Sequence, residues 1–366
     1  MGQIAFLSVR GRQRSCRVRR GAAVIVMFPG PAARTVPGLP RLHGSYDIVV
    51  LGGGHAGLEA GLKAGLLHHS AAVIDRGPRY SRSYYAPRMD NIPGFPQGIS
   101  GHALLDLQVA QIRTVEPRVG YFSPARAQRA ERLEDGRYRV QFDWLGQPRS
   151  VLGRALVLAL GVVDRMPEIG GTIETIFPWA NAGIVDFCLF CDGHTLPGRR
   201  VAVLGHDRFA ALTALDLLHF GPASLELLTL GHKLLEGVEE PERSELARRL
   251  AEHGIGHEEA GVVGLDGIRE RKLVVKLADG RAKEFDKGFS ALGWYDLHQA
   301  IPRSLGASFD PDGFVITDED CRVLDAGGRP IPGLYCVGDL RNGWNQIPEA
   351  WATADRAVIH AYASYL

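Results

Sequence analysis

Five short, wholly apolar runs punctuate the chain: Ile48 to Leu51, Ala71 to Ile74, Ala155 to Leu160, Val201 to Leu204 and Leu334 to Val337. Each meets a Gly or Asp directly afterwards, and none alternates with polar residues. That is the pattern of strands buried on both faces. Two of the runs open a strand–turn–helix unit. The first reads YDIVVLGGGHAG over residues 46–57 and continues as LEAGLKAGLLHH; the second, RVAVLGHDRFAALTALDLL, begins at Arg200. ALVLALGVVDRMP (155–167) predicts a strand, a turn and a proline stop. FSALGWYD (289–296) reads as its return partner, and a last helix is expected over roughly 347–363.

The first unit carries Gly52, Gly54 and Gly57 in the pattern G-x-G-x-x-G, with His55 and Ala56 between the last two. The first glycine permits a tight turn, the second lets the backbone approach a pyrophosphate, and the third lets helix and strand pack. The anion then meets free N–H groups and the positive end of the helix dipole. The strand AAVID ends in Asp75, followed by Arg76. An acid at that point accepts hydrogen bonds from ribose hydroxyls. The second unit keeps Gly205 and puts Ala210 at the third position, but Asp207 replaces the middle glycine. Its side chain and charge oppose a pyrophosphate. His232 and Lys233 are the only basic residues after the next strand, so the unit is expected to be structural rather than a standard NAD(P)H site.

The segment between the two ALG turns, about 165–292, contains the second unit and a CxxC. The expected fold is α/β, with two Rossmann-like, three-layer ββα domains, the second inserted in the first. Residues 45–164 and 293–366 are expected to form the first, dinucleotide-binding domain, and 165–292 the insert. Residues 1–44 form an extension.

Charge changes the picture only at that extension. The chain has 42 basic and 41 acidic residues, yet residues 1–45 hold eight arginines and no acid. The body is therefore mildly acidic and has no nucleic-acid footprint. The arm, with Pro29, Pro31, Pro37 and Pro40, is expected to be disordered or peripheral. Arg19-Arg20 before an apolar segment weakly resembles an export or transit signal, and a start misassigned upstream of Met27 is an equal alternative. No apolar run reaches the length of a membrane span. A cytoplasmic location is expected.

Of five cysteines, only Cys188 and Cys191 in FCLFCDGH form a motif. Cys336, in LYCVGD, fits a buried strand, and Cys321 is isolated. No second CxxC and no H-x3-5-H accompany the pair, so no metal is expected. A CxxC exchanges a disulfide for a dithiol through a thiolate. The neighbouring Asp192 can move the thiol proton. His194 either tunes the thiolate or simply bonds within its loop, and the second is the expectation.

The order of these motifs resembles the low-molecular-weight thioredoxin reductase family. YDIVVLGGGHAGLEA, NIPGFPQGISG (91–101), ALVLALG, FCLFCDGH and PIPGLYCVGDLRNGWNQIPEA carry the resemblance, from residue 46 to 350. It implies a homodimer that binds FAD through Gly52, Gly54, His55, Ala56, Gly57, Asp75 and Arg76. Asn91, Gly161, Gly338, Asp339, Gln346 and Ile347 would lie along the flavin side. It also implies that Cys191 faces the flavin and that Cys188 exchanges with a thioredoxin-like partner.

Several positions depart from the family pattern. Asp207 replaces a glycine, the arginine cluster is absent, and Leu189-Phe190 fill the redox loop. ALG stands for ATG, and Asn345 stands where an arginine is usual. These departures resemble the branches that work without pyridine nucleotide, among them ferredoxin-dependent and diflavin-linked enzymes. The expected function is a FAD-dependent disulfide oxidoreductase that does not use NADPH and has room for a second flavin. The alternatives are a dithiol oxidase acting on a small or protein dithiol, an ordinary NADPH-thioredoxin reductase, and a flavin-binding protein without turnover. Phe187, Phe190, Trp294, Tyr295 and Trp344 are expected more in the core than as a cofactor platform, although three of them flank turns that should line the cleft. The seven arginines between Arg113 and Arg139 are expected on a charge-mixed, solvated face.

Overall fold

The computed structural model describes residues 40–365; the extension expected to be disordered falls, up to residue 39, outside the described residues. The chain enters along β1 (Ser45–Leu51), turns into α1 (His55–Leu66) and returns on β2 (Ala71–Ile74). Then come α2 (Gly101–Ile112), β3 (Val119–Phe122) and a meander of β4 (Ala125–Arg132), β5 (Tyr138–Trp144) and β6 (Gln147–Leu158). Strands β3, β2, β1 and β6 are parallel neighbours, while β4, β5 and the first half of β6 are antiparallel.

Ile48 to Leu51 are fully buried, as their unbroken apolar run requires. The pleat divides them between two cores. Ile48 and Val50 pack with residues of α1, α2 and the C-terminal helix. Val49 and Leu51 pack with Val140, Phe142 and Trp144 of the meander.

The chain leaves this sheet through β7 (Val163–Asp164). It continues as α3 (Phe177–Asn181), β8 (Val185–Asp186), α4 (Leu189–Asp192), β9 (Arg200–Leu204), α5 (Arg208–Leu217), β10 (Ser224–Leu228), α6 (Glu242–Glu252) and β11 (Gly256–Glu258). Strands β12 (Val262–Asp266), β13 (Leu273–Leu277) and β14 (Ala282–Phe285) form a small antiparallel sheet before β15 (Lys287–Ser290). A second, all-parallel sheet has the order β11-β10-β9-β15-β8.

The return strand β16 (Trp294–Asp296) pairs antiparallel with β7, so the outgoing and returning chains run side by side. After α7 (Ala300–Ser304) and β17 (Arg322–Leu324), β18 (Pro330–Cys336) rejoins the first sheet parallel to β6. Helix α8 (Ile347–Tyr365) closes the chain. The fold is therefore α/β with two Rossmann-type sheets, the second lying in sequence between parts of the first. Cys321 and Cys336 are free and buried. Among the described residues no helix is long and apolar enough to cross a membrane.

Candidate active site

The turn after β1 needs glycine for three different reasons. Gly52 has φ +103°, and a Cβ there would strike the Ala159 carbonyl. A Cβ on Gly57 would strike the Gly52 carbonyl, which lets α1 sit directly on the turn. Gly54 is different: an added Cβ would meet only Ser81 Oγ, at 3.6 Å. Gly54 is also the N-cap of α1, and no side chain caps that end. The first-turn amides of α1 thus face an open cradle, the arrangement that accepts a pyrophosphate.

Asp75 ends β2 beside the cradle. One carboxylate oxygen accepts from Gly53 N–H (3.0 Å) and the other from the Tyr121 hydroxyl (2.6 Å). Burial raises its pKa, and these bonds oppose the rise. Arg76 lies over the Tyr80 ring, 4.2 Å from its centroid. The His55 side chain turns inward instead: Nδ1 lies 2.5 Å from Gln108 Oε1 and Nε2 2.6 Å from Ser83 Oγ. Burial holds its pKa below the ordinary value. His55 therefore contributes its place in the cradle, while its ring is a packing group.

All the sequence-predicted site residues except Gly57, whose role is packing, line one cleft of 1760 Å³. It runs from the Gly52–Ala56 cradle and Asp75-Arg76, past Gly161 and Gly338-Asp339, to Asn91, Gln346 and Ile347. Cys188, Cys191 and Asp192 complete it. Cys188 and Cys191 form a disulfide. Cys188 is the N-cap of the four-residue α4, and its Sγ accepts from Cys191 N–H at 3.2 Å. Gln346 Nε2 lies 3.4 Å from Cys191 Sγ and 3.5 Å from Cys188 Sγ. Asn91 Nδ2 donates to Gln346 Oε1 at 2.8 Å, fixing that amide. Three segments far apart in sequence thus meet on the disulfide.

Asp192 sits in a charged pocket behind it. Its pKa is pushed up to about 7, first by burial and then by the neighbouring Asp186; Lys287 opposes the rise. Lys287 pairs with Asp186 at 2.5 Å and donates to Thr195 Oγ1 at 3.0 Å. The Thr195 hydroxyl in turn donates to the Asp192 carbonyl at 2.7 Å. A carboxyl poised near neutrality beside a disulfide can give or take a thiol proton at physiological pH.

A disulfide and a dinucleotide cradle in one cleft define the chemistry, and comparison with known proteins gives it a family. The profile described as pyridine nucleotide-disulphide oxidoreductase matches residues 46–354. The chain belongs to that family. A thioredoxin reductase of Treponema pallidum is 23% identical over 333 residues, covering 88% of this chain and 97% of the relative. A thioredoxin reductase structure from Streptococcus pyogenes has a TM-score of 0.71 at 20% identity, over 88% of this chain and 98% of that one. An oxidoreductase structure from Agrobacterium tumefaciens gives 0.69 at 24%, over 87% and 98%. These two structures share the fold.

As a member of the family, the protein is a flavin-dependent, thioredoxin-reductase-like disulfide oxidoreductase, and its cofactor is FAD. The residues present fit that cofactor: the uncapped start of α1, the room over Gly54 and the carboxylate at Asp75 suit an adenosine diphosphate. When bound, FAD supplies a two-electron partner for the disulfide.

Several site residues had no sequence signal. Arg82 joins Asp164 (2.7 Å) to Asp339 (3.4 Å) and lies 4.9 Å from the Trp294 ring centroid. Burial raises the Asp339 pKa and Arg82 opposes the rise. Only the fold brings positions 82, 164 and 339 together. Asp186 and Lys287 meet only because β8 and β15 are neighbours. His194, whose expected bond was local, reaches Asp90 at 3.3 Å. Phe190 and Trp344, expected in the core, are 57% and 68% exposed and pack edge-to-face at 5.6 Å. Phe187 lines the cleft. Trp294 is half-buried, and the Tyr295 side chain lies outside the described residues. Of these aromatics, Phe187 reaches the cleft, and Phe190 and Trp344 stand exposed outside the core.

In the second Rossmann unit, Asp207 is the N-cap of α5, and its Oδ1 accepts from Ala210 N–H at 3.1 Å. A protein carboxylate therefore occupies the helix end that an intact dinucleotide fold presents to a phosphate. Gly205 keeps its packing role, since a Cβ there would press on the Ala291 carbonyl at 2.5 Å.

Proposed function

We propose that this enzyme passes electrons between FAD and the Cys188–Cys191 disulfide without taking them from NADPH by the usual route. One contrast carries the reading: α1 starts with uncapped amides over Gly54, whereas α5 starts with the Asp207 carboxylate on its own amide. A pyrophosphate at α5 would have to displace that carboxylate and tolerate its charge. A thioredoxin-like protein or a small dithiol is the partner of Cys188, with Cys191 on the flavin side. The curated relatives named thioredoxin reductase support the first partner. A ferredoxin-type protein is the proposed donor, a homodimer the proposed assembly and the cytoplasm the proposed location. The nucleotide region of the second unit is the proposed place for a second flavin. A ratio of one FAD per chain after denaturation would remove that last part.

A dithiol oxidase is the second reading, favoured by the exposed Phe190–Trp344 pair beside the disulfide. Two aromatic faces there suit an apolar small dithiol better than a charged protein surface.

The deciding experiment is anaerobic reduction of the bound flavin with NADPH, NADH, reduced ferredoxin and a dithiol in parallel. Reduction by ferredoxin or dithiol with no prompt response to NADPH supports the proposal. Prompt bleaching by NADPH refutes it. Oxygen uptake with the dithiol selects the oxidase reading.

A further inference from the structure

The loops that follow β9 and β10 bring His206, His232 and Glu236 together at the mouth of the second Rossmann unit. One ligand atom from each lies within 4.8 Å of the others. The imidazoles of His206 and His232 are stacked, with centroids 3.9 Å apart and planes 15° from parallel. His232 Nδ1 lies 3.1 Å from Glu236 Oε2. We propose that these three side chains bind one borderline divalent transition ion, Zn²⁺ or its relatives, with a position left for water.

Three observations support the site. The donor set, two imidazoles and a carboxylate, is one that zinc takes in open, four-coordinate sites. His206 Nδ1 is buried and has no hydrogen-bond partner, so one ring nitrogen of the cluster is left without a group to bind. The backbone is already assembled: Leu235 N–H donates to the His206 carbonyl at 2.6 Å, and Thr229 Oγ1 donates to the His232 carbonyl at 2.6 Å. Ligand bonds of ~2.0–2.1 Å place tetrahedral donors about 3.4 Å apart. The donors lie within 4.8 Å of one another, and reaching that spacing requires His232 to rotate out of its stack on His206, because parallel rings cannot both aim an in-plane lone pair at one ion. His232 and Glu236 are 51% and 54% exposed and free to turn.

The ion would tie the β9 loop to the β10 loop, the two loops between which an intact dinucleotide fold receives its nucleotide. The site is independent of the disulfide and of the electron donor, so it can fail while the redox reading stands.

The test is calorimetric titration of Zn²⁺ into the oxidised holoenzyme, full chain, carrying Cys16→Ser so that this thiol cannot compete. Co²⁺ absorption spectra serve as the second readout. The expected result is one ion per chain, a four-coordinate Co²⁺ spectrum, and affinity reduced by about 10-fold or more in both His232→Ala and Glu236→Gln. Both side chains are exposed, so the flavin spectrum and the unfolding midpoint of the metal-free variants should match the parent. Zn²⁺ should raise the melting temperature of the parent and leave that of His232→Ala unmoved. Absence of stoichiometric binding, or affinities equal in parent and both variants, would overturn the proposal.

Discussion

Replacing Asp192 with asparagine tests the poised carboxyl directly. The substitution keeps the shape and removes the charge. In the folded protein burial and Asp186 push the Asp192 pKa from 3.8 to about 7. A raised carboxyl stabilises the folded state only while protonated. Its contribution is therefore complete below pH 3.8 and is lost as pH rises to about 7. Each pH unit inside that window costs about 1.4 kcal/mol, for a total of about 4 kcal/mol. The Asp192→Asn protein has no carboxyl to ionise there, so it should gain on the wild type as pH rises. The stability difference should move by about 2–3 kcal/mol between pH 5 and pH 8 and level off above pH 8. The assay is urea unfolding of the oxidised holoenzymes across that range at fixed ionic strength. The same substitution should slow reduction of a partner disulfide by about 10²–10⁴-fold at pH 7, by removing the proton carrier. A stability difference that stays constant within about 0.5 kcal/mol across the range would refute the poised carboxyl, since a full linkage slope is expected there.

Further substitutions probe the rest of the cleft. Gly57→Ala forces a methyl group onto the Gly52 carbonyl, and the purified variant should lose its FAD, as absorbance at the flavin band will report. Gln346→Ala removes the amide that touches both sulfurs, so dithiol-driven flavin reduction should slow by about 10-fold or more in stopped flow while FAD content is retained. Arg82→Met strands two half-buried carboxylates and should cost about 1–3 kcal/mol in chemical denaturation. Asp207→Ala removes the α5 cap and should cost about 1 kcal/mol, whereas Asp207→Gly should cost a few tenths.

Those residues divide by how far the sequence could see them. The cradle was legible because its chemistry is local: Gly52, Gly54 and Gly57 are fixed by one turn and one helix, and a spacing rule captures them. The uninterrupted apolar runs likewise marked the central strands, since burial on both faces leaves no room for alternation. The disulfide was legible for the same reason, since Cys188 and Cys191 share a single turn of chain. The charged surroundings were not. Arg82, Asp164 and Asp339 belong to three segments that β7 and β18 carry to one place. The Asp186–Lys287 pair exists only through the order of the second sheet. Exposure was half visible: Phe190 and Trp344 carry the composition of core residues, flanking turns pointed some of the aromatics toward the cleft, and both side chains stand exposed.

The two Rossmann units share one local fold around two different helix starts. Asp207 satisfies an amide at the start of α5, so that helix is capped by its own chain. Gly205 and Ala210 serve packing, since a Cβ on Gly205 would press on the Ala291 carbonyl and on the Ala210 methyl group. Packing positions and helix-end positions therefore carry separate roles inside one motif. Restoring glycine at position 207 reopens the helix end but supplies no cation for a 2′-phosphate. Asp207→Gly alone should accordingly leave NADPH unable to reduce the flavin at a rate comparable with a dithiol. Rapid reduction by NADPH in that single variant would mean that the carboxylate at position 207 was the whole barrier, and that the basic residues already present suffice.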